Sequence, residues 1–194
     1  MADPSLYTYP SPLSGYEGLD PLPNEKETAG PNAKAFINPP SSKPSPTLST
    51  AYTHFPSPIT NDTRGGFDIH IYYLQTNAAE FHFATELHER IRREFPELRI
   101  YRLWEGPIGP HPIAMFEVNV FTPQQFGAFV SWLVVHRGPL SVLVHPNTGD
   151  DVRDHSQRAT WMGQPIPLQL GGLREFVRRR KELEGQANGA VEAV

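Results

Sequence analysis

Between residues 67 and 145 the apolar residues change their spacing from two to 3.6 and back, twice. Phe67 to Leu74 reads FDIHIYYL, with Phe67, Ile69, Ile71 and Tyr73 alternating with Asp68, His70, Tyr72 and Leu74. That is a strand pattern. Asn77, with Glu80 three residues on, reads as a helix cap, and Phe81, Ala84, Leu87, Ile91 and Phe95 then form one helical stripe, ended by Pro96. Leu98–Trp104 reads as a second strand, and Ile113–Val120 as a third, with Phe116, Val118 and Val120 on one face and Met115, Glu117 and Asn119 on the other. Thr122-Pro123-Gln124-Gln125 opens a second helix; Phe126, Phe129, Val130 and Leu133 follow at helical spacing and Gly138 stops it. Leu140–His145 is the fourth strand. The resulting β-α-β-β-α-β order is the ferredoxin-like plan, an α+β fold with a four-stranded antiparallel sheet. Helices cover one face; loops, a partner subunit or a ligand must cover the other.

Composition confines this domain. Twelve of the 21 prolines lie in the first 60 residues, and that stretch shows no apolar period. Residues 1–62 are therefore expected to be a disordered Pro/Ser-rich arm, with Pro39–Pro46 its extreme and Ser-Pro pairs at 11–12, 45–46 and 57–58. Residues 63–173 are expected to be the domain. Residues 174–194 are expected to be a short charged helix, Arg174–Glu184, and a frayed tail, with a further short helix capped by Asp154 and closed by Gly163 before it. Cysteine is absent, which excludes disulfides, thiolate metal sites and a cysteine nucleophile. A net charge of −4 disfavours nucleic acid. No run suits a membrane span and no leader opens the chain, so a cytoplasmic protein without membrane or nucleic-acid partners is expected.

Eight histidines carry the chemical signal, at 54, 70, 82, 88, 111, 136, 145 and 155. No spacing among them matches a metal motif. Topology says more. With strands one and three taken as parallel neighbours and strand four antiparallel beside strand one, His70, His111 and His145 meet at one edge of the uncovered face, near Asp68 and Glu117. His155 follows His145 through the turn Asn147–Asp150 and can fold back over the same place. Imidazoles with a nearby carboxylate suit iron(II), zinc or manganese. Taken singly, each histidine is more simply an ordinary polar residue. His82 is expected in solvent, His88 in the core or an interface, and His136 at the C-terminal end of the second helix. Trp104, Tyr72, Met115 and Trp161 could wall a pocket for an aromatic ring or pack a dimer interface.

Five segments together resemble the DOPA 4,5-dioxygenase family of fungi and bacteria: Asp68–Tyr72, Gly109–Pro112, Val142–Asp151, Asp154-His155 and Trp161–Gly163. HPNTGDD followed by DH and WMG is the specific part, and the likeness spans about residues 66–170. The resemblance implies a ferredoxin-like homodimer holding a non-haem iron(II). It also implies extradiol cleavage of a catechol such as L-DOPA by O2, giving the seco-DOPA precursors of betalamic acid and muscaflavin pigments. Carried over by position, His70, His111, His145 and His155 are the family-like histidines. For that chemistry the expected ligands are His70, His111 and His145, with Glu117 as a variant in place of one of them. His155 is the expected proton acceptor and donor. Tyr72 and Glu117 are expected near the substrate, and Arg102, Arg153 or Asp150 at the polar end of DOPA. Two rivals stand beside this reading. One is a catalytically inactive ferredoxin-like dimer that binds or regulates. The other is an RNA-binding module, disfavoured because strand three presents Met115, Glu117 and Asn119 rather than aromatic rings.

Overall fold

A computed structural model describes residues 8–31, 33–38, 48–61 and 65–191, with side chains up to residue 186. The proline-richest stretch, the Ser45-Pro46 pair and residues 192–194 lie outside the described residues. The chain divides into two units, Met1–Ser49 and Thr50–Val194. In the first, every described residue is exposed, and a bridge pairs Lys26 with Phe36, whose ring carries the Lys26 ammonium at 5.1 Å.

The second unit is an α+β domain. Its elements are β1 (Phe67–Tyr72), α1 (Ala78–Glu94), β2 (Arg99–Ile100), β3 (Met115–Val120), α2 (Pro123–His136), β4 (Ser141–Pro146), α3 (Asp151–Asp154), β5 (Thr160–Met162) and α4 (Leu170–Val191). The sheet order is β2-β3-β1-β4-β5. The ferredoxin-like core is as expected, with three corrections. First, β1 and β3 run antiparallel, Phe67 facing Val120 and Tyr72 facing Met115. The crossover through α1 makes β2 parallel to β1, and the β2–β3 hairpin then reverses β3 between them. Second, a fifth strand extends the sheet, Trp161 pairing with Leu143. Asp154 ends α3 rather than capping a helix; the cap is Asp150, whose side chain accepts from Arg153 N. Third, β2 has only two ladder residues. Tyr101 N donates to Glu117 O, and the next bond is Trp104 N to Met115 O. Three steps on one strand thus match two on the other, a bulge that breaks the ladder.

The helices start where their caps dictate. The Asn77 side chain accepts from Ala79 N and Glu80 N, and Glu80 reaches back to Leu74 N at 2.8 Å. Thr122 accepts from Gln125 N, and Gln125 reaches back to Phe121 N. Ala84, Leu87 and Ile91 of α1 and Phe129 and Leu133 of α2 bury against Ile69, Ile71, Phe116, Val118, Val142 and Val144. This is the main core, and period two leaves Asp68, His70, Tyr72, Glu117, Asn119, Leu143 and His145 on the opposite face. Phe55, from the segment before β1, is buried with its ring 5.2 Å from Phe67. α4 runs longer than the expected 174–184. Among the described residues no helix is long and apolar enough to cross a membrane.

Gly66 opens β1 at φ +73, and a Cβ there would overlap Val120 O. A left-handed backbone and a clash act together, so Gly66→Ala is expected to destabilise the domain by about 3 kcal/mol or more. Urea unfolding followed by circular dichroism measures it.

Candidate metal and catalytic site

The open face is roofed by two loops. The first reverses at Gly109-Pro110, where Ile108 and His111 exchange both backbone hydrogen bonds and Gly109 has φ +55. The second runs from Asn147 through α3 to β5 and beyond. Gln169 N donates to Pro110 O at 2.8 Å, tying the two together. Beneath them Tyr72, Met115 and Leu143 form a small second core, flanked by Trp104, Trp161, Ile166 and Leu168.

Four histidines meet beside this core. The register places Asp68 opposite His145 and His70 opposite both Leu143 and Glu117. His70 and His145 are thus diagonal neighbours on one face, within reach of each other's rings. Their Nε2 atoms lie 3.1 Å apart. His111 comes over His70 from the first loop, ring centroids 4.2 Å apart. His155 comes from the end of α3 and lies 4.0 Å from His145 and 5.7 Å from His111. His70, His111 and His145 are buried, and His155 is half-buried. His111 reaches the cluster despite the reversed direction of β3, because the Gly109-Pro110 turn brings it back over the sheet.

Burial sets the electrostatics. It pushes the His70 imidazole well below its ordinary range, with the three neighbouring rings adding to the effect. It lowers His111 to about 3, and His145 and His155 to about 4. All four are neutral at pH 7. The His145 Nδ1 lies 3.0 Å from Pro146 O and the His155 Nδ1 lies 2.8 Å from Asp151 O. A carbonyl only accepts, so both rings donate through Nδ1 and keep a lone pair on Nε2. Tyr72 OH meets His111 Nδ1 at 2.6 Å, and burial raises the phenol, which stays protonated; for His111 to keep a lone pair on Nε2, its Nδ1–H must donate to the Tyr72 oxygen. The His70 Nδ1 is buried without a hydrogen bond; Glu117 Oε2 stands 3.7 Å away. Burial first and then Asp68 raise Glu117 to about 7, and burial raises Asp68 although Asn147 and Asn119 donate to it.

These donors fit a cation. His70, His111 and His155 offer ligand atoms within 4.8 Å of one another, as do Asp68, His70 and His145. His70 is common to both sets. The expected trio of His70, His111 and His145 is therefore split between them, with His155 as close a neighbour as the rest. Glu117 faces the far nitrogen of His70, away from His145. Tyr72 is held between His111 and the Trp161 ring, whose centroid is 5.5 Å away. Asp150 and Arg153 pair with each other in the first turn of α3 at 3.4 Å. Arg102 lines a recess of about 360 Å³ with Trp104 and Ile108. Of the remaining histidines, His82 is exposed beside Glu86, and His88 bonds to Tyr101 O while lying edge-on to Phe116. Sequence reasoning missed the group that buried Asp154 forms with half-buried Thr148 and Arg158. Its signal was Thr148 and Asp154 within the HPNTGDD…DH segment.

Fold and site together define a ferredoxin-like domain with an imidazole cluster on the sheet face away from α1 and α2, a group of side chains able to hold a metal ion. The chain belongs to the Dopa 4,5-dioxygenase family, whose family model matches residues 67–171. It is 57% identical over 187 residues to an uncharacterized 21.2 kDa protein of Botryotinia fuckeliana, covering 93% of this chain and 98% of that one. It is 36% identical over 137 residues to a DOPA 4,5-dioxygenase of Amanita muscaria, covering 61% and 60%. A candidate dioxygenase of Nostoc punctiforme PCC 73102, solved by crystallography, superposes with a TM-score of 0.52 at 39% identity, covering 57% of this chain and 92% of that one.

Histidines held neutral by burial link folding to pH. Their folded pKa values lie below the unfolded value near 6.5, so between about 4 and 6.5 the unfolded chain binds more protons and stability rises with pH. Glu117 has the opposite sign: raised to about 7, it favours the folded state at low pH and loses that contribution as pH rises through 7. Four imidazoles outweigh it. The Tm of metal-free protein is expected to fall on going from pH 7 to pH 5, and less steeply in His155→Ala.

Proposed function

We propose that this protein is a metal-dependent extradiol dioxygenase that opens the ring of L-DOPA or a related catechol with O2. Family membership and the Amanita relative support the reaction class. The observation that carries the metal is the 3.1 Å between the Nε2 atoms of His70 and His145. Two nitrogens each about 2.1 Å from one ion, at right angles, are about 3.0 Å apart. Iron(II) is the proposed ion, and bound there it lets electrons pass between the catechol and O2.

The chain's own residues do the rest. His70, His111 and His145 are the proposed ligands, being the three buried rings. Three protein ligands leave room for a catechol and O2. Glu117 lies 3.7 Å beyond His70 Nδ1, too far for a hydrogen bond, on the side from which a carboxylate usually orients a metal-bound histidine. Tyr72, at 2.6 Å, orients His111 from the same position behind Nδ1. His155 keeps a bare Nε2 and is the cluster's half-buried member, so it can take the catechol proton, hold it on Nε2 and return it later. Trp161 and Trp104, beside Tyr72, offer apolar surface to the substrate ring. The two roofing loops exclude water.

A second reading exchanges the roles of His145 and His155, favoured by the common 4.8 Å envelope of His70, His111 and His155. Iron loaded anaerobically, followed by L-DOPA and air, tests the activity by oxygen uptake and a yellow product. On the first reading His145→Ala loses bound iron about 10-fold or more, whereas His155→Ala keeps its iron and loses about 10²-fold or more in kcat. The opposite pattern selects the second reading. No oxygen uptake by iron-loaded wild type, with L-DOPA and with simpler catechols, overturns both.

A further inference from the structure

We propose that Asp154 is a positioning residue that holds His155 against the imidazole cluster. Asp154 is 2% exposed, and among the described residues its side chain bonds to Thr148 and Arg158 rather than to the His155 ring. It closes a loop instead. Its Oδ2 accepts from Thr148 N at 2.9 Å, and its Oδ1 accepts from Thr148 Oγ1 at 2.8 Å and from Arg158 Nη1 at 2.9 Å. Arg158 Nη1 also donates to Thr148 Oγ1. One buried carboxylate thus ties the turn after β4 to the turn before β5. A buried carboxylate is tolerated only when its lone pairs are filled this way.

His155 needs such a tie. It follows directly after Asp154 at the end of α3, a helix of four residues. A helix that short has no stability of its own. Apart from ring contacts, the His155 side chain is held by one hydrogen bond, from Nδ1 to Asp151 O, and that acceptor belongs to the same four-residue helix. The helix can stay registered on the sheet because Thr148, two residues past β4, is locked to Asp154. A further ion pair, Arg180 Nη1 to Asp151 Oδ2 at 3.1 Å, ties the helix to α4, but it is partly exposed and correspondingly weak. Asp154 therefore acts on His155 through the backbone, and through His155 on proton transfer. The catalytic part of this inference rests on the proposed function; the positioning part does not.

The test uses iron-loaded full-length protein with Asp154→Ala, Thr148→Val and the conservative Thr148→Ser. Asp154→Ala and Thr148→Val are expected to lower kcat about 10- to 100-fold with bound iron unchanged and KM within about threefold. Thr148→Ser restores wild-type turnover. In a His155→Ala background Asp154→Ala adds no further loss. Independently of turnover, carbethoxylation of His155 by diethyl pyrocarbonate, read by mass spectrometry on metal-free protein, rises severalfold in Asp154→Ala and Thr148→Val and returns to wild type in Thr148→Ser. Labelling of His145 stays constant. Should Asp154→Ala fail to fold, Thr148→Val carries the test. Unchanged His155 labelling in folded Thr148→Val overturns the proposal, as does a kcat loss that persists undiminished without His155. If wild type has no turnover, the dioxygenase reading falls and the labelling alone decides this one.

Discussion

A buried imidazole can be neutral or paired with a carboxylate, but burial in a cluster of four favours the neutral form of each. Each proton added to one ring would face three neighbours in a medium that solvates charge poorly. The open face of this sheet is built around that constraint. Pro146 O and Asp151 O fix the tautomers of His145 and His155, and the Tyr72 hydroxyl supports His111. Asp68 and Glu117 sit directly across the strands from His145 and His70. Among the described residues the His70 Nδ1 is the one buried imidazole nitrogen left without a hydrogen bond, and the clustered donors are compatible with a bound cation.

The two faces of the sheet divide the work. The helix face packs Ile69, Ile71, Phe116, Val118 and Val142 under α1 and α2, which makes β1, β3 and β4 a rigid base. The other face borrows that rigidity for His70 and His145. The loops that bring His111 and His155 have no comparable core, so they are tied by single contacts instead. Gln169 N holds Pro110 O, Asn147 N holds Gly66 O, and Thr60 N holds Asn147 O. These ties all join elements at the rim of the site. Within the HPNTGDD…DH segment Asn147, Thr148 and Asp154 each make several hydrogen bonds of this kind.

Much of this was legible in the sequence, for an identifiable reason. Period two assigns faces without any knowledge of strand order, so His70, Glu117 and His145 could be put on the uncovered face from spacing alone. Strand direction is not encoded that way. Taking β1 and β3 as parallel was an error, yet His111 still arrived, because Gly109-Pro110 reverses the chain. The two-residue β2 was hidden by a bulge, which depends on backbone pairing rather than composition. β5 was hidden because three residues, Thr160–Met162, are too few to display a period. The role of Asp154 was out of reach for a different reason: its partner Thr148 sits six residues back across a turn, and nothing in the composition shows that the carboxylate is buried.

The placement of the carboxylates bears on charge as well as orientation. Neutral imidazoles would give a dication no compensating charge, and Asp68 and Glu117 are the carboxylates nearest the cluster. Both are held above their ordinary pKa by burial, and Asp68 further raises the cost of ionising Glu117. Burial and the neighbouring Asp68 push Glu117 up to about 7. Positive charge entering on the far side of His70 would lower that pKa, so binding of an ion would be coupled to proton release. The coupling needs Glu117 near the His70 Nδ1 and outside the ligand set. As a ligand it would bring its full negative charge into the coordination sphere and reduce the Lewis acidity that a catechol hydroxyl must feel to ionise. The cross-strand register of β1 and β3, His70 opposite Glu117, therefore sets the electronic character of the site as well as its geometry.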